Sequence, residues 1–405
     1  MAASTGAWEN GVIHRSVLVG TLCVLASSCV VAAESEPKWI SEGPYLDESP
    51  LLLEIPMEYL AGKIFVEVEV GGAPRRFLFD TGSPSMMSKD LAAQLELEVV
   101  DKRQGKDAHG AIVETDILQS DLTIGGTTFH KVPIFAADFP HTAKCLFDGV
   151  LGSELLPLCA WQIDVPDSVL RCSTDPARLD HLGEATKQPL HDFGYPHAPI
   201  LDVRFASKAT SKALFDTGSP EYVAISPPDL EGASRNRGVG RTVPGAGSLG
   251  GSLGGPAPEG EQRLVELKSF GIGDMPLGRV GAVLRESAPS LVGASFLEHF
   301  VVTLDAKNSV AYFDRYRDGP LVRPTFGFGL SFEPDVAVSL VWDGSPAAEA
   351  GLRVGNRVTV INGEPTEASC DGIRSAMRAM SGGGTIELEW EGGAATLVRE
   401  QAFGD

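Results

Sequence analysis

Two aspartates lie in matching sequences and are the first candidates for chemistry. Asp80 and Asp216 each take the second position of a Phe-Asp-Thr-Gly-Ser-Pro hexapeptide, at 79–84 and 215–220, and a leucine precedes each copy. A single Asp-Thr-Gly triplet is typical of an ordinary turn at a strand end, where Asp and Gly are common. A match over this length indicates a duplication instead, and a duplicated chain can supply one carboxylate from each half.

Two facing carboxylates can hydrolyse an amide without a serine or cysteine nucleophile. At about 3 Å they cannot both be ionised cheaply, so they share one proton. The ionised member can take a proton from a bound water, while the protonated member donates to the carbonyl oxygen of the amide. We therefore predict that Asp80 and Asp216 form a catalytic dyad with water as the nucleophile.

The residues after each aspartate are suited to holding two such loops together. They are Thr81, Gly82 and Ser83 in the first copy, and Thr217, Gly218 and Ser219 in the second. Each glycine allows a tight backbone turn where a side chain would clash. Each threonine is expected to hydrogen-bond across to the opposite loop, and each serine to bond the outer oxygen of its own aspartate.

The elements around the two hexapeptides repeat in the same order. An apolar alternation before each motif predicts a strand that feeds a sharp turn. An Ile-Gly pair, an apolar-apolar-Gly triplet and a hairpin-like segment then follow in both halves. The alternations lie at 64–70 and 200–205, the triplets at 150–152 and 291–293, and the hairpins at 161–172 and 300–313. This order predicts a mainly β, two-lobed domain.

At these residues the chain resembles the pepsin and retropepsin class of aspartic proteases. The resemblance implies a two-lobed acid-protease barrel with Asp80 and Asp216 as the dyad, and with Thr81 and Thr217 as an interlobe hydrogen-bonding pair. It also implies extended polypeptide substrates and no cofactor. The lobes are predicted at residues 51–178 and 179–318.

The predicted flaps differ from the pepsin pattern. The first, at about 104–115, contains His109-Gly110 and no tyrosine. The matching segment of the second half, at 245–255, contains two consecutive Ser-Leu-Gly-Gly repeats. Its glycine content predicts mobility. Two interpretations remain open, a disordered insertion and a mobile lid over the cleft.

A different pattern follows the second lobe. The Gly-Ser-Pro-Ala-Ala run that begins at Gly344, with Gly351-Leu352 after it, resembles a PDZ domain of bacterial envelope proteases, here at 322–402. The resemblance implies the capture of peptide or protein C-termini. The terminal carboxylate is expected to bind backbone N–H groups of a turn at Phe328, Gly329 and Leu330. The alternative is that the module only packs against the protease lobes.

Composition limits the choice of partners. The net charge of −21 argues against a nucleic-acid partner, which would require a basic face. The eight histidines are scattered, and none joins a His-Glu-x-x-His or Cys-x-x-Cys arrangement. No metal site is therefore predicted.

The N-terminus is typical of an exported protein. Residues 1–33 contain a basic edge, a short apolar run and a small-residue site ending at Ala33, as in a secretory signal peptide. We expect cleavage after Ala33, a linker at 34–50, and a periplasmic or extracellular location. Lipidation at Cys29 is the second interpretation and would anchor the protein to a membrane.

Export permits disulfides. Cys159 and Cys172 flank the predicted hairpin of the first half and are the most plausible pair if one forms. Two other functions also remain open. One is a catalytically inactive peptide-binding protein of the envelope that kept the protease fold, and the other is a homodimeric enzyme that uses one functional lobe per chain.

Overall fold

The strands of the first half recur in the same order in the second half. The computed structural model describes residues 37–47 and 50–403, so the predicted signal peptide and Cys29 lie outside the described residues. The strands of the first half are β1 (Leu52–Leu60), β2 (Lys63–Val70), β3 (Ala73–Phe79), β4 (Met86–Ser88), β5 (Val99–Lys106), β6 (Ile112–Ile124), β7 (Thr127–Ala137), β8 (Gly149–Leu151), β9 (Ala160–Asp164) and β10 (Val169–Ser173). Its helices are α1 (Lys38–Ser41), α2 (Lys89–Gln94) and α3 (His141–Leu146).

The second half repeats this plan with one short helix and one extra hairpin. Its strands are β11 (Thr186–His191), β12 (Ile200–Ala206), β13 (Ala209–Asp216), β14 (Val223–Ile225), β15 (Val239–Gly247), β16 (Gly251–Ser252), β17 (Gly255–Pro256), β18 (Gly260–Ile272), β19 (Met275–Leu284), β20 (Ser290–Gly293), β21 (Phe300–Asp305) and β22 (Val310–Arg315), and its helix is α4 (Pro227–Arg235). The extra hairpin, β16–β17, is formed by the Gly-rich repeat.

The strand pairing brings each hexapeptide to the same position in its half. In the first half β3 runs parallel to β8, and β8 also pairs with β4. In the second half β13 runs parallel to β20, and β20 also pairs with β14. Each hexapeptide therefore leaves a strand that lies beside its apolar-apolar-Gly triplet.

An antiparallel sheet joins the two halves. Its order is β1-β10-β9-β21-β22-β11, and its centre is the pairing of β9 with β21, in which Trp161 lies opposite Leu304. Strands with alternating apolar residues bury one face, and one continuous core of buried side chains extends through both halves. The described part of the chain is mainly β, as the sequence predicts.

The C-terminal module has its own core. Its strands are β23 (Pro324–Thr325), β24 (Phe328–Ser331), β25 (Ala337–Trp342), β26 (Val358–Ile361), β27 (Glu364–Pro365), β28 (Thr385–Trp390), β29 (Gly393–Val398) and β30 (Glu400–Gln401), and its helices are α5 (Pro346–Glu349) and α6 (Cys370–Ser381). Four of these strands form a sheet in the order β27-β26-β28-β29. Ser369 caps α6 by accepting a hydrogen bond from the N–H of Gly372.

The segment expected to be a linker packs in part on the first half. Trp39 in α1 is buried, and its indole N–H donates to Asp101 over 3.0 Å. Tyr45 forms a β-bridge with His130. The apolar surface of Trp39 explains the packing, because its burial is favourable. Among the described helices, none has the length and the apolar character needed to cross a membrane.

Candidate active site

The two hexapeptide turns face each other closely. Asp80 follows β3 directly and Asp216 is the last residue of β13. The two carboxyl groups are close enough for Asp80 to raise the pKa of Asp216. A Cβ added to Gly82 would lie 2.4 Å from the carboxyl carbon of Asp216, and one added to Gly218 would lie 2.3 Å from Oδ2 of Asp80. Only glycine fits at either position, so the glycines permit the approach of the two acids.

Thr81 and Thr217 join the two catalytic loops through reciprocal hydrogen bonds. The Oγ1 atom of Thr81 donates to the carbonyl oxygen of Phe215 over 2.6 Å and accepts from the N–H of Thr217 over 3.1 Å. The Oγ1 atom of Thr217 likewise donates to the carbonyl oxygen of Phe79 over 2.7 Å and accepts from the N–H of Thr81 over 3.0 Å. Both side chains are buried. The expected hydrogen bonds across the two loops are therefore present.

The role expected of the serines is taken by backbone amides. The N–H of Gly82 donates to Oδ1 of Asp80 over 2.9 Å, and the N–H of Gly218 donates to Oδ1 of Asp216 over 2.8 Å. The prediction for Ser83 was wrong, because its hydroxyl donates to the carbonyl oxygen of Pro84. At Ser219 the hydrogen bond to Asp216 also comes from the backbone N–H, which donates to the carbonyl oxygen of Asp216 over 3.2 Å.

The electrostatics favour one shared proton. Burial, the negative charge of Asp80 and a hydrogen bond that protonated Asp216 donates to Asp80 together raise the pKa of Asp216 to about 7. The ammonium group of Lys63 and the N–H of Gly218 oppose this shift in the pKa. Because the two carboxyls interact strongly, this titration belongs to the pair. The pair therefore holds a proton in weakly acidic solution.

Two cations near Asp216 were not predicted from the sequence. Lys63 opens β2, and its Nζ donates to the carbonyl oxygen of Gly218 over 2.5 Å. Arg285 follows β19, and its charge interacts with Asp216, although burial lowers the pKa of the guanidinium. Neither residue has a sequence signal, since a lysine at a strand start and an arginine in a loop are commonplace.

A buried glutamate supports the first catalytic loop and was also missed. Both carboxyl oxygens of Glu154 accept from the N–H of Ser85, over 2.9 and 3.1 Å. Burial raises the pKa of Glu154 to about 7, although hydrogen bonds from Ser85 oppose the rise. A Cβ added to Gly152 would lie 2.2 Å from the backbone of Pro84. The first triplet is thus packed against the loop that carries Asp80.

Two apolar walls lie beside the dyad, one in each half. Neighbouring side chains of a strand point to opposite faces, so Phe79 enters the core that both halves share while Leu78, two residues before Asp80, faces the other way. Leu78 belongs to a separate buried cluster, the first wall, with Phe65, Met86, Phe139 and Val150 among its members. This wall contains the first residue of the triplet at 150–152.

The second wall is built in the same way. Leu214, two residues before Asp216, packs against a cluster that includes Ala224, Val283 and Leu291. Two side chains of β25, Leu340 and Trp342, belong to the same cluster. The C-terminal module therefore contributes apolar groups to the second wall.

The tips of the two flaps meet. The flap predicted at 104–115 is the β5–β6 hairpin, in which Oδ1 of Asp107 accepts from the N–H groups of His109 and Ala111. The Oδ2 atom of Asp107 accepts from the N–H of Gly254 over 3.0 Å and from the hydroxyl of Ser252, both in the Gly-rich segment of the second half. The Gly-rich segment is thus folded against the first flap, which favours the lid interpretation over a disordered insertion.

The residues expected to bind a terminal carboxylate lie in a strand. Phe328, Gly329 and Leu330 belong to β24, which pairs with β25. The expectation of a turn at these residues was therefore wrong. The side chain of Phe328 is buried in the module's core, which fixes the strand, and the turn lies earlier at Gly327, where φ is +86°.

Helix α3 of the first half contacts the C-terminal module just beyond the end of β24 and at the start of α6. Thr142 donates its N–H to Glu333, just beyond β24, over 3.0 Å. His141 contacts the carbonyl oxygen of Ala368 at 3.0 Å, just before α6. The adjacent Cys145 is bonded to Cys370, the first residue of α6. A peptide that lies along β24 would therefore meet α3 at this end.

The module is also fixed to the second half. Strand β25 pairs with β15 of the second flap, and Ala246 lies opposite Val341. The sheet of the second half therefore continues through β15 and β25 to β24. Together with the bond at Cys145, this pairing ties the module to both halves.

The cysteines among the described residues form two disulfides. The expected pair Cys159–Cys172 is present, and Cys145–Cys370 was not predicted. Within the described residues, one group of potential metal ligands lies together, formed by His141, Cys145 and Cys370. Because the two sulfurs are bonded to each other, they are not free thiolates for a metal.

Comparisons with known proteins agree with these observations. Residues 66–155, which contain Asp80, match the family model of an aspartyl protease, and residues 338–391 match that of a PDZ domain. No curated protein matches the chain significantly.

Two solved structures show similarity at low identity. One is the aspartic proteinase from Irpex lacteus, with 15% identity, a TM-score of 0.43, and coverage of 65% of this chain and 97% of that chain. The other is Basic 7S globulin from soybean, with 10% identity, a TM-score of 0.41, and coverage of 65% and 95%. With the site geometry and the two family matches, the chain is identified as carrying an aspartyl protease domain and, after it, a PDZ domain.

Proposed function

We propose that the chain is an exported aspartic endopeptidase in which Asp80 and Asp216 activate water to hydrolyse extended polypeptides. The observation that carries the proposal is the close approach of the two carboxyl groups, where the two hexapeptide turns meet and are joined by reciprocal threonine hydrogen bonds. Thr81, Thr217 and the two glycines fix its geometry.

The proposed reaction uses one proton already present on the pair. The ionised carboxylate takes a proton from the water as its oxygen bonds to the carbonyl carbon of the substrate, and the protonated carboxyl donates to the carbonyl oxygen. As the C–N bond breaks, the carboxyl that took the proton from water donates it to the leaving nitrogen, and the other carboxylate takes back a hydroxyl proton from the tetrahedral species, so the pair again holds one proton. The raised pKa of Asp216 supports this scheme, since it keeps the acid protonated in weakly acidic solution.

The PDZ domain gives the second part of the proposal. Binding of peptide or protein C-termini beside β24 would feed substrate to the protease. The strand's pairing to β25 alone among the described strands, together with the adjacent α6, supports a peptide groove. The position of α3 limits the length of peptide that this groove accepts.

Location in the periplasm or outside the cell is part of the same proposal, with cleavage after Ala33. The two disulfides among the described residues support it, because disulfides persist in oxidising compartments. Terminal sequencing of the mature protein tests the cleavage site. Recovery of a lipid on Cys29 would replace it with membrane anchoring.

The test of the enzyme is cleavage of casein by the purified chain, followed by mass spectrometry of the products. Asp80→Asn and Asp216→Asn should each abolish cleavage, while Asp138→Asn, an equivalent change at an exposed side chain, should retain it. Binding of casein without cleavage by the unmodified chain would favour the inactive peptide-binding protein instead.

A further inference from the structure

The two Ser-Leu-Gly-Gly repeats at 248–255 have no role in the proposed reaction. They are nevertheless ordered by specific contacts. The N–H of Ser248 donates to the carbonyl oxygen of Ser339 over 2.7 Å. The hydroxyl of Ser248 donates to the carbonyl oxygen of Ala257 over 2.9 Å. The rest of the segment folds back as the β16–β17 hairpin.

The leucines of the two repeats pack on opposite walls. Leu249 packs against the second wall, which contains Leu291 and adjoins Leu214. Leu253 packs against the first wall, which contains Leu78 and Val150. Because Leu78 and Leu214 each lie two residues before a catalytic aspartate, the segment between the leucines spans the two sides of the dyad.

The first flap fastens this segment. Oδ2 of Asp107 accepts from the N–H of Gly254 and from the hydroxyl of Ser252. A Cβ added to Gly254 would lie 2.7 Å from the Cβ of Ala111, so glycine is required for the tip of one flap to rest on the other. Val113 of the first flap packs against the same wall as Leu253.

We propose that Ser248–Leu253 is an internal ligand of the cleft, whose two leucines occupy the apolar substrate walls until a polypeptide displaces them. This inference rests on the proposed function and assigns its regulation. Glycines flank each of the two Ser-Leu pairs, and they give the backbone the conformational freedom to move out of the cleft. A substrate must compete with this segment. The apparent dissociation constant of the substrate therefore equals its intrinsic dissociation constant divided by the fraction of molecules in which the segment has moved out.

The first experiment measures competition as kinetics on casein. Leu249→Ser and Leu253→Ser, combined in the full chain, should lower KM about tenfold, because each removes the apolar surface that holds the segment closed. The value of kcat should remain within about twofold, since the dyad is untouched. Val398→Ser, an exposed aliphatic residue of β29, is the matched control and should leave both constants unchanged.

Asp107→Asn gives a second, independent route to the open form. The asparagine keeps one side-chain oxygen to accept from the N–H groups of His109 and Ala111. Its NH₂ group takes the place of the oxygen that accepts from Ser252 and Gly254. KM should fall in this variant also. If KM is unchanged or rises in both the double-serine variant and Asp107→Asn, the segment is not a competitor and the inference is wrong.

A binding measurement separates this inference from the proposed function. In the Asp80→Asn background, fluorescein-labelled casein should bind about tenfold more tightly when the two leucines are replaced by serine. Tighter binding without Asp80-dependent cleavage in any form would overturn the proposed enzyme and leave the internal ligand standing. Asp80-dependent cleavage with unchanged binding would overturn the internal ligand alone.

Discussion

The Nζ atom of Lys63 lies 2.5 Å from the carbonyl oxygen of Gly218, so a side chain of the first half holds the catalytic loop of the second. The neighbouring Gly62 lies against the same loop, since a Cβ there would come within 2.8 Å of Pro220. Lys63 is therefore placed to act on Asp216 in two ways, through the position of its loop and through charge.

Replacing Lys63 should change the pH dependence of the enzyme. Its positive charge opposes the rise in the pKa of Asp216, which burial and Asp80 raise to about 7. Lys63→Met should raise the upper pKa of the pair further. The activity requires the shared proton and is lost as pH rises through this pKa.

We therefore expect the alkaline limb of kcat/KM to lie near pH 7 in the unmodified protein and to move up by about one unit in Lys63→Met. Lys63→Arg keeps the charge and should leave the limb near its original position. A limb that stays in place in Lys63→Met, or moves to lower pH, would show that Lys63 has only a structural role.

The threonine pair should be important for the stability of the protein. Thr81→Val preserves the shape of the side chain but leaves the N–H of Thr217 and the carbonyl oxygen of Phe215 without their partner. Unpaired buried groups of this kind predict a loss of about 2–4 kcal/mol in the free energy of unfolding. Chemical denaturation measures it, and Thr81→Ser should recover most of the loss. A loss as large in Thr81→Ser would attribute the effect to packing.

Much of this site follows from the sequence, and the reason is that the motif is local. The geometry of Asp80, Thr81 and Gly82 is set within three residues and repeated in the other copy, so their roles could be inferred without a structure. The contribution of Lys63 could not be inferred from the sequence, because Lys63 lies on β2 and reaches Gly218 only through the packing of the two halves.

The Gly-rich repeat shows where composition misleads. Glycine content predicts a mobile segment, yet Leu249 and Leu253, which are partly buried, pack against the two walls and hold it in place. At Phe328 the opposite error arose, since a turn was expected where the burial of the ring requires a strand. Both depend on tertiary partners that the local sequence does not reveal.

Glu154 should make stability depend on pH. Burial raises its pKa to about 7 in the folded protein, whereas an exposed glutamate titrates near 4.3. Between these values the folded state binds more protons than the unfolded state, so stability falls as pH rises. A shift of this size corresponds to about 3 kcal/mol at pH 8.

Glu154→Gln removes this titration. The difference in the free energy of unfolding between the variant and the unmodified protein should shift by about 3 kcal/mol in favour of the variant from pH 4 to pH 8. Comparing the two proteins cancels the contribution of the remaining groups. A difference that stays constant over this range would mean that the pKa of Glu154 is the same in the folded and unfolded states.

The two disulfides should differ in their effect on stability. Cys145–Cys370 joins residues 225 apart in sequence, and Cys159–Cys172 joins residues 13 apart. Loop-closure entropy predicts stabilisation of about 5 kcal/mol for the first and about 3 kcal/mol for the second. The paired Cys-to-Ser variants, compared by urea denaturation, should follow this order. An equal or smaller loss for Cys145→Ser with Cys370→Ser would show that β15–β25 pairing already fixes the module.

In the proposed enzyme one chain supplies both carboxylates of the dyad, and a mixing experiment distinguishes this arrangement from a dyad shared between two chains. Asp80→Asn and Asp216→Asn are purified separately, mixed in equal amounts, and assayed on casein beside the unmodified protein. Each chain of the mixture lacks one acid, so an intramolecular dyad predicts cleavage by the unmodified protein and none by either variant or by their mixture. Cleavage restored on mixing would rule out an intramolecular dyad, because it would show that the two acids come from different chains.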